Sequence, residues 1–568
     1  TGASNTDNLT SVTTPEFTGT AEAGSLVTLL DGTTAIGSAL ASVAGIWTIT
    51  ATPLTDGAHA ISAIATDAAG NVSLASAALA VTIDSQILVP SIPDMTAATD
   101  KGVSNSDNIT NNARPSFTGT AEAGSTVTLL DGATTIGTAR ANTAGVWTIT
   151  SATLADGVHN IAASALDRAG NLATSAALAV TIDTLAPAAP PQAALAPGSD
   201  SGSSASDNIT NITTPTFVGT AEAGATVTLY NGTAKVGTGI ADADGAWSIT
   251  STQLSAGVRS ITVKATDIAG NISAASPVLA VTIDKTIARP ARPDLVATSD
   301  SGVSSTDNLT NVATPEFTGT AEAGSLVTLL DGTTAIGSAL ATAAGSWAIT
   351  AAPLADGVHA IAATATDIAG NVSLTSTALA VTIDTTAPDA PAFAAGNATS
   401  VSGTGEARAT VSLLDSGSVI GTATVGSTGN WNMKFLAANS PRELSVVATD
   451  RAGNTGAPTS GMVLLGTAAA DTLAGGAADD LYIGGAGADV FAFASGFGHD
   501  IIADFAPTGT AHGIIAFSGI GALGSFADVL SHASTVGTGT MITADGSDSL
   551  MLNGVALTRL TAADFTFA

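Results

Sequence analysis

The chain has no cysteine, and its 568 residues include only 15 lysines and arginines and 6 histidines. The lack of cysteine excludes disulfide staples, thiolate zinc sites and a cysteine nucleophile. The scarcity of basic side chains stands against 46 aspartates and glutamates, for a net charge of −31. Such a balance argues against nucleic acid or an anionic membrane as partner, because phosphate recognition needs clustered Lys and Arg. So few histidines leave little material for imidazole metal centres or Ser-His-Asp chemistry, and hard oxygen donors remain. No run of about 18 apolar residues reads as a membrane span, so a soluble chain is expected. The residues after Thr1 show neither the basic nor the apolar region of a signal peptide, so any export information is expected elsewhere. Aromatic residues make up 4% of the chain, whereas glycine contributes 61 residues and apolar types together 45%. That composition fits a β-rich, loop-rich protein with thin cores.

What is present is a repeat. Asp-Asn-(Leu/Ile)-Thr begins at Asp7, Asp107, Asp207 and Asp307, and Phe17, Phe117, Phe217 and Phe317 keep the same register. So do Trp47, Trp147, Trp247 and Trp347, while the fifth tryptophan, Trp431, sits in a shortened copy without the Asp-Asn phrase. Each module alternates apolar and polar residues, as in Trp47-Thr48-Ile49-Thr50, with breaks such as Asp31-Gly32, Asp56-Gly57 and Gly70-Asn71. Six or seven short strands per unit of roughly 100 residues indicate an antiparallel β-sandwich plugged by its tryptophan. The expected organisation is all-β, with modules at 1–86, 87–186, 187–287, 288–387 and 388–465 and a different region at 466–568.

The acids recur at fixed places. Within modules two to four, Asp100, Asp200 and Asp300 come just before the sandwich; the Asp-Asn phrase supplies Asp7, Asn8, Asp107, Asn108, Asp207, Asn208, Asp307 and Asn308. Asp-x-Ala-Gly-Asn supplies Asp67, Asp167, Asp267 and Asp367, with Asp450 in the fifth module. Thr-Ile-Asp closes modules at Asp84, Asp183, Asp284 and Asp384. If the last strand leaves a sandwich at the pole opposite the first strand's start, Asp84 should meet Asp100, Asp107, Asn108 and Asp167 of module two. Carboxylates so gathered repel one another unless a cation is bound, and Ca²⁺ takes roughly 6–8 oxygen ligands. On this scheme the joint between modules four and five keeps only Asp384 and Asp450 and is expected to be incomplete. The Asp-Gly pairs are read as simple turns, and His59, His159 and His359, replaced by Arg259 in module three, as structural residues at a strand edge.

Thr14 to Gly24 (Thr-Pro-Glu-Phe-Thr-Gly-Thr-Ala-Glu-Ala-Gly), Asp156 to His159 and Ala365 to Asn371 resemble the tandem bacterial immunoglobulin-like domains of repetitive surface adhesins, over residues 1 to about 465. The resemblance implies immunoglobulin-like sandwiches and calcium between domains. After Leu465, Asp471, Asp480 and Asp489 recur every nine residues, each followed two positions on by Leu473, Tyr482 or Phe491. This register is similar to the nonapeptide of RTX proteins, a parallel β-roll in which Asp and turn carbonyls hold calcium. The segment Leu552 to Ala568 is similar to the C-terminal signal of type I secretion substrates. With no zinc helix, nucleophile elbow or phosphate loop, no catalytic or cofactor-binding residue is expected. The reading is an extracellular, calcium-stiffened adhesin or surface fibre at the bacterial cell surface, with the secretion machinery and a surface or substratum ligand as partners. A self-assembling surface-layer or filament protein and the tail of a secreted RTX enzyme are the alternatives.

Overall fold

Small and β-branched residues at every second position favour strands whose one face is buried, and this periodicity dictates each module. The computed structural model describes residues 1–2, 4–436 and 440–568. These divide into two units, Thr1–Lys285 and Thr286–Ala568.

In the first unit, module one contains β1 (Leu9–Thr10), β2 (Glu16–Thr20), β3 (Leu26–Asp31), β4 (Thr34–Leu40), β5 (Ile46–Thr50), β6 (Gly57–Thr66) and β7 (Leu79–Ile83). One sheet runs β1-β7-β6-β3-β4 and the other pairs β2 with β5. Val27, Leu29, Trp47, Ile49, Ile61 and Ile83 fill the space between the sheets. Gly19 of β2 lies under the Trp47 ring, where an added Cβ would come within 2.5 Å of Cζ2. Modules two and three repeat this plan, and in them a short strand from the preceding linker, β8 (Asp94–Met95) in module two and Ala194–Leu195 in module three, pairs with the strand carrying Phe117 or Phe217; module two also has Leu172–Thr174 against Gly157–Leu166.

β1 runs parallel to β7, with Leu9 opposite Thr82 and Thr10 opposite Ile83. The first strand therefore ends where the last one leaves. Asn8, which precedes it, has φ 56°, and Asn108, Asn208 and Asn308 share this left-handed backbone, which asparagine tolerates better than most residues.

In the second unit, module four keeps the same order, and its Asp294–Leu295 strand pairs with Glu316–Thr320. Module five ends at Val463–Leu465, and this strand pairs in parallel with Leu481–Ile483, so its sheet continues without interruption into the C-terminal region. Two parallel ladders form there. One joins Val463–Leu465, Leu481–Ile483, His499–Ile502 and Ser549–Leu552; the other joins Thr472–Ala474, Val490–Ala494, Ile514–Ser518 and Phe565–Phe567. Thr472 faces Val490 and Val463 faces Leu481, so each circuit of the chain takes two nine-residue repeats. Leu473, Tyr482 and Phe491 all point into one core with Phe493, Phe505 and Phe517. The one α-helix among the described residues is Phe526–Ser531, and no helix is long and apolar enough to cross a membrane.

Candidate functional site

The parallel β1–β7 pairing decides which acids meet. Thr82 N–H donates to the Asn8 carbonyl and Asp84 N–H to the Thr10 carbonyl, so the Asp-Asn phrase and the closing aspartate of one module share a pole. The Asp-x-Ala-Gly-Asn turn of the next module docks there. Thr1 Oγ1 donates to the Ala169 carbonyl at 3.1 Å, and Asn171 Nδ2 donates to the Asp84 carbonyl at 2.6 Å and to Asp167 Oδ2 at 2.7 Å. Asp167 Oδ1 accepts the Gly170 and Asn171 N–H groups at 2.7 and 2.9 Å.

Beside this turn, carboxylate oxygens of Asp84, Glu122 and Asp167 lie within 4.8 Å of one another, with Asp167 buried and the other two half-buried. No lysine or arginine among the described residues pairs with any of the three. Burial, followed by the charges of Asp84 and Asp167, raises the Glu122 carboxyl above its ordinary range. Oxygens at this separation can share one ion that holds its ligands at about 2.3–2.6 Å, the Ca²⁺ range. The donor set therefore fits a hard cation.

The second joint repeats the docking contacts of the Asp-x-Ala-Gly-Asn turn. Asn271 Nδ2 donates to the Asp183 carbonyl and to Asp267 Oδ2, each at 2.8 Å. Val103 N–H donates to the Ile268 carbonyl and Asn111 N–H to the Ala269 carbonyl. Asp100, Asp107 and Asn108 thus face module three. Their expected meeting with Asp84 is wrong, because the parallel first strand puts them at the far pole of module two. There Asp100 is 3% exposed, its Oδ2 accepts the Asn108 N–H at 3.2 Å and its Oδ1 is buried without a partner. Burial first, and the charge of Asp107, raise its carboxyl. Asp200 and Asp300 keep the same bond to Asn208 and Asn308 and the same unpartnered oxygen.

The same correction brings the Asp-Asn phrase of module four to the joint between modules four and five, where the opposite scheme has none. Asn454 Nδ2 donates to the Asp384 carbonyl and Asp450 Oδ2, each at 2.7 Å. Val303 N–H donates to the Arg451 carbonyl, Ser301 Oγ donates to the Ala452 carbonyl at 2.7 Å, and Arg451 Nη2 lies 3.1 Å from Asp307 Oδ2. Burial, then Asp450 and Asp384, raise Glu406. Glu122 and Glu406 escaped the sequence reading, although a glutamate recurs at this strand end as Glu22, Glu222 and Glu322.

Other candidates have local roles. Asp7, Asp107, Asp207 and Asp307 accept the N–H two residues on. Asp67, in the exposed turn of module one, is lowered by the Asn71 side chain that donates to it. Asp284 N–H donates to the Thr210 carbonyl, and Asp367 accepts from Asn371. In the C-terminal region the repeated aspartates cap backbone amides: Asp471 Oδ2 accepts from Thr467 N–H, Asp489 Oδ1 from Asp471 N–H, and Asp480 from Met462 and Gly476 N–H.

The family profile of bacterial Ig-like domains matches residues 1–85, 86–184, 187–285 and 286–385, and a second bacterial Ig domain profile matches 387–464. No curated protein matches the chain. Among solved structures, a fragment of a 1.5-MDa bacterial ice-binding adhesin is 19% identical, covering 52% of this chain and 97% of its own, with a TM-score of 0.23. The fibronectin(III)-like modules of Clostridium thermocellum CbhA are 20% identical over 28% of this chain and 87% of theirs, with a TM-score of 0.21. The BSP domain of a biofilm-associated protein is 11% identical over 68% and 97%, with a TM-score of 0.14.

Proposed function

Because this chain belongs to the family of bacterial Ig-like domains, we propose that it serves outside the cell as a surface adhesin or extender whose module joints take up calcium. The observation that supports this reading is the convergence of Asp84, Glu122 and Asp167 at a joint. Three carboxylates so close cost free energy when all are ionised, and a divalent cation removes that cost. Asp84 belongs to one module and Glu122 and Asp167 to the next, so a shared ion resists bending between them.

The same reading extends to the end of the chain. The Asp471, Asp480 and Asp489 register supports an RTX-type calcium-responsive region, and Leu552 to Ala568 a type I secretion signal. An acidic chain that folds fully only with calcium stays open for export where calcium is scarce.

Small-angle scattering with and without chelator tests the joint. The maximum dimension is expected to change when calcium is removed; an identical scattering curve overturns calcium stiffening. Secretion of a reporter fused to residues 466–568, abolished by deleting 552–568, tests the export reading.

A further inference from the structure

The linker into module four carries a charge that the other linkers lack. Lys285, Arg289 and Arg292 put three of the 15 basic residues into eight positions, whereas 85–93, 184–192 and 385–391 hold none. Arg289 and Arg292 are exposed, and among the described residues neither makes an ion pair. The linker has a period of three: Ile287 packs against the module core, and Pro290 and Pro293 are buried. Each arginine precedes a proline and is held extended by it. A polyproline strand turns once in three residues and rises about 3.1 Å with each. Arg289 and Arg292 therefore leave the linker on one side, about 9 Å apart along it.

The same linker walls a groove. Ala291 N–H donates to the Thr320 carbonyl and Asp294 stands opposite Thr318, so Arg292 lies between two points at which the linker joins the smaller sheet of module four. Thr320 and Asp294 both line a groove of about 570 Å³, together with Thr318, Thr342, Ser346 and Ala348. Module four is distinctive here, because Ala348 stands where the first three modules have Thr48, Thr148 and Ser248. In module two the Thr148 hydroxyl donates to that of Thr118, and Thr118 donates to the Trp147 carbonyl. Ala348 faces Thr318 in register, so the alanine removes that partner and leaves space over the strand pair.

We propose that this groove binds an acidic polysaccharide with a carboxylate on every second sugar, the carboxylates resting on Arg289 and Arg292. A guanidinium holds a carboxylate through two parallel hydrogen bonds, and the arginine spacing is about the length of two linked sugar rings. The Thr318 and Thr320 hydroxyls and the Asp294 carboxylate serve the uncharged hydroxyl groups of the polymer. The net charge of −31 opposes such a ligand at a distance, but at physiological salt charges beyond about 8 Å are largely screened and the local patch decides. The inference rests on the surface-adhesin reading, which brings the chain to such polymers, and not on calcium at the joints.

The test titrates the full chain with a fluorescently labelled hyaluronate oligosaccharide at about 0.15 M salt, once with calcium and once with chelator. Saturable one-to-one binding is expected in both, with new hydrogen-exchange protection at Glu316–Thr320 and none at Ser116–Thr120. Replacing both arginines, Arg289→Ala with Arg292→Ala, should weaken binding about tenfold or more, through loss of two charge-assisted contacts. Ala348→Thr keeps both charges and refills the groove, and should weaken binding as much. Absence of binding, an unaffected Ala348→Thr variant, or equal binding of a neutral chitin oligosaccharide overturns the proposal. So does equal binding of a DNA oligonucleotide of the same charge, which makes the patch a general anion binder. Binding seen only with calcium also overturns it, because the ion then bridges the carboxylates. Binding in both conditions by a protein whose scattering ignores chelator sinks calcium stiffening alone.

Discussion

His159 Nδ1 lies 2.6 Å from Asp131 Oδ2, while its Nε2 lies 2.8 Å from the Ala155 carbonyl. Both ring nitrogens therefore face acceptors, and only the doubly protonated imidazolium can donate to both. His59 and His359 are held the same way, by Asp31 with Thr55 and by Asp331 with Ala355. Module three has Arg259 and Asn231 at these positions, the arginine donating to the Ser255 and Ala256 carbonyls, and module five pairs Arg442 with Asp415 at 3.6 Å. The position takes a cation in every module, and only the histidines can lose theirs near neutral pH.

A pH dependence confined to three modules follows. The histidines titrate above their ordinary value. For His59 the Thr55 carbonyl is the main cause; for His159 burial pulls downward most strongly but is outweighed by Ala155 and Asp131; for His359 Asp331 leads. A raised folded value means the contribution is complete below the unfolded value of about 6.5 and is lost as pH rises through the folded one. Modules one, two and four should each lose stability on that passage, and module three should not. Hydrogen exchange resolved by module between pH 6 and 9 checks this.

Glu122→Gln separates repulsion from metal binding. In chelator, removing one of three clustered charges should leave the joint as stable as before or slightly more stable. In calcium, the variant should bind the ion at the first joint about tenfold more weakly, having lost one charged ligand. Isothermal titration calorimetry measures both arms.

Gly102→Val should undock modules two and three while sparing their cores. Gly102 has φ 131°, and a Cβ there would stand 2.3 Å from the Ile268 carbonyl oxygen, a backbone atom that cannot yield. The Val103 and Asn111 amides should lose exchange protection, while Leu129 and Leu229, buried in the neighbouring cores, keep theirs.

Asp500→Asn should stabilise the C-terminal region in alkali. Burial, the largest influence, pushes the Asp500 carboxyl up to about 8, and its Oδ1 accepts the Asp480 N–H at 2.7 Å. With the folded value raised, its contribution is complete below the ordinary carboxylate range and is lost as pH rises through about 8. Asparagine keeps the acceptor and removes the charge, so the variant should gain about 1–2 kcal/mol at pH 9 and lose this pH dependence. Urea unfolding at pH 6 and pH 9 compares the two proteins.

Much of the architecture was legible because it is local and repeated. Alternating residues specify strands, one tryptophan per module marks each core, and the nine-residue register of Leu473, Tyr482 and Phe491 predicts side chains that share one interior. Asparagine after aspartate also has a local reason, the left-handed backbone of Asn8 and its three counterparts. Glu122 was missed because its run Thr-Ala-Glu-Ala-Gly looks like an ordinary strand-end turn; only packing against the preceding module brings it to Asp84.

Periodicity and composition thus determined by themselves a chain of small-residue β modules with acids at repeated places. Which acids meet was decided only in three dimensions. Whether β1 lies parallel or antiparallel to β7 leaves no trace in a two-residue strand, yet it chooses the pole at which the Asp-Asn phrase emerges.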